Sequence, residues 1–168
     1  MSSLKQVEIF TDGACLGNPG PGGYGVILKY DHHKKELSGG YRLTTNSRME
    51  LMAAIVGLSA LKQPCRVTLF SDSQYLVKSI MDGHVNRWEA NGWKRNKKEP
   101  ALNADLWRQL VELCRQHQVT FEWVRGHTGL PENERCDQLS VRAAGKPNLP
   151  PDEGYEGKDQ EHLPLIEP

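Results

Sequence analysis

The period of the hydrophobic pattern first changes near residue 45, and that change restricts the folds open to this chain more than any other feature. Before it, Val7, Ile9 and Thr11 alternate with Glu8, Phe10 and Asp12, which is strand periodicity. GYGVILKY and ELSGGYRL follow as short aromatic and β-branched runs separated by DHHKK, so the chain opens as an antiparallel meander of three strands. After the change, Asn46 to Leu61 carries Leu51, Met52, Ile55, Val56, Leu58 and Leu61, apolar almost all round, as in a helix buried against a sheet. VTLFSD (67–72) and FEWV (121–124) read as two further strands. SQYLVKSIMDG reads as helical up to Gly83, NADLWRQLVELCRQH has apolar residues at helical spacing, and a last helix starts near Pro131, a favoured first-turn position, and runs to Ala144. A meander followed by alternating helix and strand predicts an α/β fold: one five-stranded mixed sheet with right-handed crossovers and helices on both faces.

A chain of 168 residues, 38% hydrophobic and 25% charged, can bury one full core. It contains no apolar run long enough to span a bilayer, and MSSLKQVEIF lacks the basic and then apolar pattern of a secretory leader. A cytoplasmic protein without membrane contact is expected. Cys15, Cys65, Cys114 and Cys136 are too widely spaced for a zinc site or a redox dithiol and read as small buried hydrophobes. The formal net charge of zero conceals an asymmetry: residues 146–168 hold two lysines and six acids, leaving a mildly basic body. That acidic, proline-rich segment is poor in core-forming residues, which predicts a domain over residues 1–145 and a disordered tail over 146–168.

Two aspartates end apolar strands. Asp12 precedes a loop with six glycines between Gly13 and Gly25, and Asp72 precedes Ser73. The carboxyl ends of neighbouring parallel strands converge on one crevice, and strands about 4.8 Å apart would bring the two carboxylates within reach of a shared cation. Close acids without a base raise each other's pKa unless a cation lies between them. Glu50, near the start of the following helix, offers a third ligand, and Asp137 in NERCDQL a fourth. Each has a simpler reading. Ser47 and Glu50 match a capping box, Asp12 and Asp72 suit turns, and Asp137 suits a solvated helix face.

The strings DGACLGNPGPGGYG, NSRMELMAAIVGL, SDSQYL and VRGHTGLPENERCDQL occur in order between about Val7 and Ala144, and together they resemble bacterial ribonuclease H of type 1. The resemblance implies the ribonuclease H-like fold and endonucleolytic hydrolysis of the RNA strand of an RNA/DNA hybrid duplex, leaving 3′-hydroxyl and 5′-phosphate ends. It places Asp12, Glu50, Asp72 and Asp137 on the family's metal-binding carboxylates and His127 on its mobile catalytic histidine. It further implies two Mg²⁺ ions with substrate bound, Mn²⁺ being an alternative, in an in-line displacement, and a monomer. The glycines after Asp12 are then expected to let the backbone approach the duplex.

The same resemblance places Asn18, Asn46 and Gln74, with the backbone around Cys15 and Glu50, at the minor groove, where the 2′-hydroxyl distinguishes RNA from DNA. Ser47 departs there from a common asparagine. Thr45 and Asn103 match a phosphate pocket for the DNA strand, and Asn103 also suits a helix N-cap. HVNRWEANGWKRNKKEP, with Trp88, Trp93 and Lys94 among further basic residues, resembles a basic protrusion that grips the duplex. Glu89, Ala90 and Asn91 make it less basic than is usual, and His84 stands where a tryptophan is common. Two alternatives remain: a non-catalytic hybrid-binding module, which would tolerate loss of the acids, and a nuclease of the same fold acting on DNA.

Overall fold

The computed structural model describes residues 4–97, 99–126 and 129–157. One five-stranded sheet has the order β3-β2-β1-β4-β5. Strands β1 (Lys5–Cys15), β2 (Gly20–Tyr30) and β3 (His33–Thr44) form the antiparallel meander, and β4 (Cys65–Ser71) and β5 (Gln118–Trp123) add to β1 in parallel. The helices are α1 (Asn46–Ser59), α2 (Gln74–Met81), α3 (His84–Ala90), α4 (Ala104–Gln116) and α5 (Pro131–Ala144). The expected mixed sheet is therefore present.

Period-2 alternation divides the sheet's side chains between two cores. Val7, Ile9, Val26, Leu28, Val67 and Leu69 join Leu51, Leu58, Trp107 and Leu110 of α1 and α4 in the larger one. Phe10, Ile27 and Phe70 lie on the opposite face against Cys136 of α5, where the Phe10 and Phe70 rings stack at 4.7 Å. At about 1.5–3 kcal/mol per fully buried large side chain, the larger cluster supplies most of the driving force and fixes β1 and β4 as the central strands.

Four expectations need correction. Asp12 does not end its strand, because β1 continues to Cys15 by pairing with β2, where Asp12 faces Gly25. What ends is the pairing with β4, whose last partners are Phe10 and Phe70. The N-cap of α1 is Thr45, whose hydroxyl accepts from Arg48 N at 3.2 Å; Ser47 lies inside the helix, so it makes no capping box with Glu50. The basic stretch is partly helical: α3 buries Val85, and Trp88 packs into the larger core 6.1 Å from the Trp107 ring.

The fourth correction concerns the acidic tail, whose first part, residues 146–157, is docked on the domain. Asp152 is only 3% exposed. It receives hydrogen bonds from Thr44 Oγ1 at 2.7 Å and from Arg48 Nε and Nη2 at 2.7 and 3.0 Å. The Pro150 carbonyl accepts from Arg42 N at 2.9 Å, and Arg42 pairs with Glu156 at 2.9 Å. A segment poor in apolar residues is held because it brings a carboxylate to an otherwise buried guanidinium. Residues 158–168 lie outside the described residues.

Candidate active site

Asp12 and Asp72 each lie two residues beyond the last Phe10–Phe70 pair of the parallel ladder. Their carboxylates emerge side by side where the two strands diverge. Thr11 Oγ1 ties the strands there by donating to the Phe70 carbonyl at 2.9 Å. On the β5 side, Val124 N donates to the Ser71 carbonyl at 2.9 Å and Trp123 Nε1 to the Asp72 carbonyl at 3.2 Å. Asp72, although outside any strand, is thus held by its main chain.

Glu50 reaches this point because α1 approaches β1 very closely. A Cβ on Gly13 would lie 2.6 Å from Glu50 N, and one on Gly25 would lie 2.3 Å from the Cys136 carbonyl of α5. Gly13 and Gly25 therefore admit helices, which carry Glu50 and Asp137 to the sheet. Ligand oxygens of Asp12, Glu50 and Asp72 all lie within 4.8 Å of one another. On the other side, Thr11, Asp12, Asp72, Gly126, Asn133, Glu134 and Asp137 line a slot of about 10 Å³, the room of one water-sized sphere.

The electrostatics are those of acids that repel one another. Burial, then the charges of Asp72 and Asp137, push Asp12 up to about 8, although the Gly13 amide donates to its Oδ1 at 2.8 Å. Burial, reinforced by Asp12 and Asp72, pushes Glu50 well above the usual carboxylate range. Glu50 Oε2 is buried without a hydrogen-bond partner. No described residue lining the slot is basic. Hard oxygen donors around an orphaned carboxylate oxygen fit a hard divalent cation, which would remove the repulsion that otherwise keeps a proton here.

Around the carboxylates the polar residues singled out from the sequence separate into two groups. Cys15, Asn18, Asn46 and Gln74 line neither the slot nor the groove: Asn46 N donates to Asn18 Oδ1 at 3.1 Å, Cys15 Sγ donates to the Thr44 and Gly20 carbonyls, and Gln74 is exposed at the start of α2. Thr45, Ser47, Trp93, Lys94 and Asn103 instead line one groove of about 700 Å³, together with Arg48, Arg95, Arg108 and Tyr155. Trp88 does not line it. Asn103 makes no side-chain cap to α4; its Oδ1 accepts from Arg48 Nη1 at 3.3 Å and its Nδ2 donates to the Tyr75 hydroxyl at 3.3 Å. His127 lies outside the described residues.

Sequence reasoning missed Arg48, Asp105, Asp152 and Asn133. A signal existed for Arg48, the one cation in the apolar interior of α1. Burial lowers its pKa, but hydrogen bonds to Asp105 and Asp152 outweigh that and hold it charged.

The sequence profile of the RNase H family matches residues 4–145. A ribonuclease H of Syntrophus aciditrophicus is 68% identical over 151 residues, covering 90% of this chain and 87% of the relative. One of Desulforamulus reducens is 62% identical over 151 residues, covering 90% and 95%. Among solved structures, LC9-RNase H1, a type 1 RNase H with the type 2 active-site motif, has a TM-score of 0.79 at 32% identity, covering 95% of this chain and 82% of that one. LC11-RNase H1 in complex with an RNA/DNA hybrid has a TM-score of 0.64 at 24% identity, covering 82% and 96%, a likeness of fold.

Proposed function

The chain belongs to the ribonuclease H family and is an endoribonuclease, and from that premise we propose that it hydrolyses the RNA strand of RNA/DNA hybrids with two divalent cations, Mg²⁺ or Mn²⁺, leaving 3′-hydroxyl and 5′-phosphate ends. The observation that carries this reading is the convergence of Asp12, Glu50 and Asp72 oxygens within 4.8 Å, with no base lining the adjoining slot among the described residues. Asp12, Glu50 and Asp72 would hold one cation, with Asp12 and Asp137 available to a second beside the slot. Bound there, the cations supply an acidified water and neutralisation of phosphate charge, which phosphodiester hydrolysis near pH 7 requires.

The chain's own groups do the positioning. Asn18, Asn46 and Gln74 are placed to test the ribose 2′-hydroxyl beside the carboxylates. The groove bounded by Thr45, Asn103 and Lys94 suits the DNA strand, whose phosphates fix register without reading sequence. Its cations, Arg95 and Arg108 among them, attract that backbone. His127, between β5 and α5 in the sequence, is assigned proton transfer or product release. The working unit of this reading is a monomer acting in the cytoplasm, with residues 146–157 docked on its catalytic domain.

The decisive assay incubates the protein and Mg²⁺ with labelled RNA/DNA hybrid, RNA/RNA and DNA/DNA. Only the RNA strand of the hybrid should shorten, and chelation should stop it. Cleavage of a DNA strand would favour a DNA nuclease of the same fold, and binding without cleavage a hybrid-binding module.

A further inference from the structure

Asn133 stands one helical turn before Asp137 on α5, so the two side chains share a face of the helix. Both line the slot with Thr11, Asp12, Asp72 and Gly126. Asn133 Oδ1 is buried and has no hydrogen-bond partner. An amide oxygen can only accept, and once a cation has displaced the proton shared by the acids, the carboxylates facing it can only accept as well. Asn133 therefore cannot be satisfied by its neighbours; the slot has to contain a group with protons to donate. Its volume admits one water-sized sphere, and a buried water needs two to four polar partners.

We propose that Asn133 is a positioning residue: its Oδ1 accepts a hydrogen bond from a water in the slot, whose second proton is directed at Asp137, so that the water's lone pairs face Asp12 and Asp72. The water is thereby oriented along the edge where a cation joins those carboxylates. Thr11 cannot satisfy the Asn133 oxygen directly, because its hydroxyl proton is committed to the Phe70 carbonyl. Glu134, the remaining polar group of the lining, is exposed and is free to turn to bulk solvent. The inference rests on the cation-binding reading of the slot given above.

The test compares Asn133→Ala with the isosteric Asn133→Asp, which keeps the accepting oxygen. With Asn133→Ala, kcat for hybrid cleavage should fall about tenfold with KM unchanged, since removing an orienting contact acts on the reacting geometry and not on the groove. Mg²⁺ affinity, measured by calorimetry without nucleic acid, should weaken about three- to tenfold. Asn133→Asp should bind Mg²⁺ at least as tightly as the wild type. Three results would each overturn the inference: kcat and Mg²⁺ affinity of Asn133→Ala within twofold of wild type, a raised KM with kcat intact, or equal impairment of both variants. If Asn133→Ala proves unfolded by its melting curve, the aspartate variant decides alone, and weakened Mg²⁺ binding by it counts against the proposal. A wild-type protein that cleaves no hybrid sinks the functional reading instead, so the two failures are distinguishable.

Discussion

Replacing Asp12 by asparagine removes a charge the folded chain holds only at a cost, since burial, Asp72 and Asp137 all oppose its ionisation. The cation-free variant should gain about 1 kcal/mol or more, a rise in Tm of roughly 2–4 °C for a chain of this length, while cleavage is lost and hybrid binding persists. Calorimetry beside a gel-shift assay checks both halves; a less stable or an active variant would refute the assignment. Gly126 invites a second substitution. A Cβ there would lie 2.8 Å from Asp72 Oδ2, so Gly126→Ala must displace that carboxylate. It should lower kcat by about 10–100-fold, as misplacements of this size do, with the hybrid Kd changed less than twofold. At this scale Asp12 and Asp72 were legible because each follows an apolar strand run and precedes a turn former, although β1 itself continues to Cys15. Glu50 was legible only ambiguously: Ser47 imitates a cap that Thr45 makes. Asn133 was illegible, because nothing in PENERCDQL says which oxygen will be left unpaired by folding.

Elements carry the affinity for nucleic acid and most of the long-range cohesion. Within α3 and the turn after it, Glu89 is engaged by Arg115 of α4, whereas Ala90 and Asn91 are exposed. Ala90→Lys with Asn91→Arg should therefore tighten hybrid binding and steepen the fall of log K with log salt by about 0.9 for each new phosphate contact, leaving kcat unchanged; salt-dependent binding curves that superpose on the wild type would show that α3 stays clear of the duplex. Segment 146–157 bears on stability. Asp152→Ala leaves buried Arg48, 2% exposed, with the half-buried Asp105 as its remaining ionic partner, and loss of one partner of a buried pair costs about 3–5 kcal/mol. Urea denaturation reads this directly, and a loss under about 1 kcal/mol would deny the contact its weight. The meander, α1 and α4 could be read from period, and α5 from a proline at its first turn. Segment 146–157 could not, since its buried anchor is one carboxylate meeting one guanidinium 104 residues away, a pairing that leaves no local pattern. The helical form of α3 was hidden for a related reason: Val85 and Trp88 face inward one helical turn apart, inside a run whose charge suggests a solvated loop.

For the whole molecule, the acid cluster sets how stability depends on pH. Asp12 ionises at an ordinary 3.8 when free of its surroundings and at about 8 in the fold. Between those values the folded chain binds more protons than the unfolded one, so cation-free stability should fall as pH rises from about 4 to about 8. Glu50 acts in the same direction. Saturating Mg²⁺ takes the place of the protons and should flatten that fall, and its binding should release protons and tighten with pH. Melting curves with chelator and with Mg²⁺ across this range test the claim; parallel curves would contradict it. Among the described residues no helix is long and apolar enough to cross a membrane, and the architecture of one sheet with helices on both faces followed from the order of periods alone. The Asp152 contact has a consequence of another kind. A ribosome releases this chain from its amino end, so α1 and its guanidinium leave the exit tunnel about a hundred residues ahead of the carboxylate that joins Asp105 in neutralising it. Helix α1 can pack against the emerging sheet, but its charge stays only half compensated until residue 152 is free, which makes completion of the fold an event that waits for that residue to leave the tunnel.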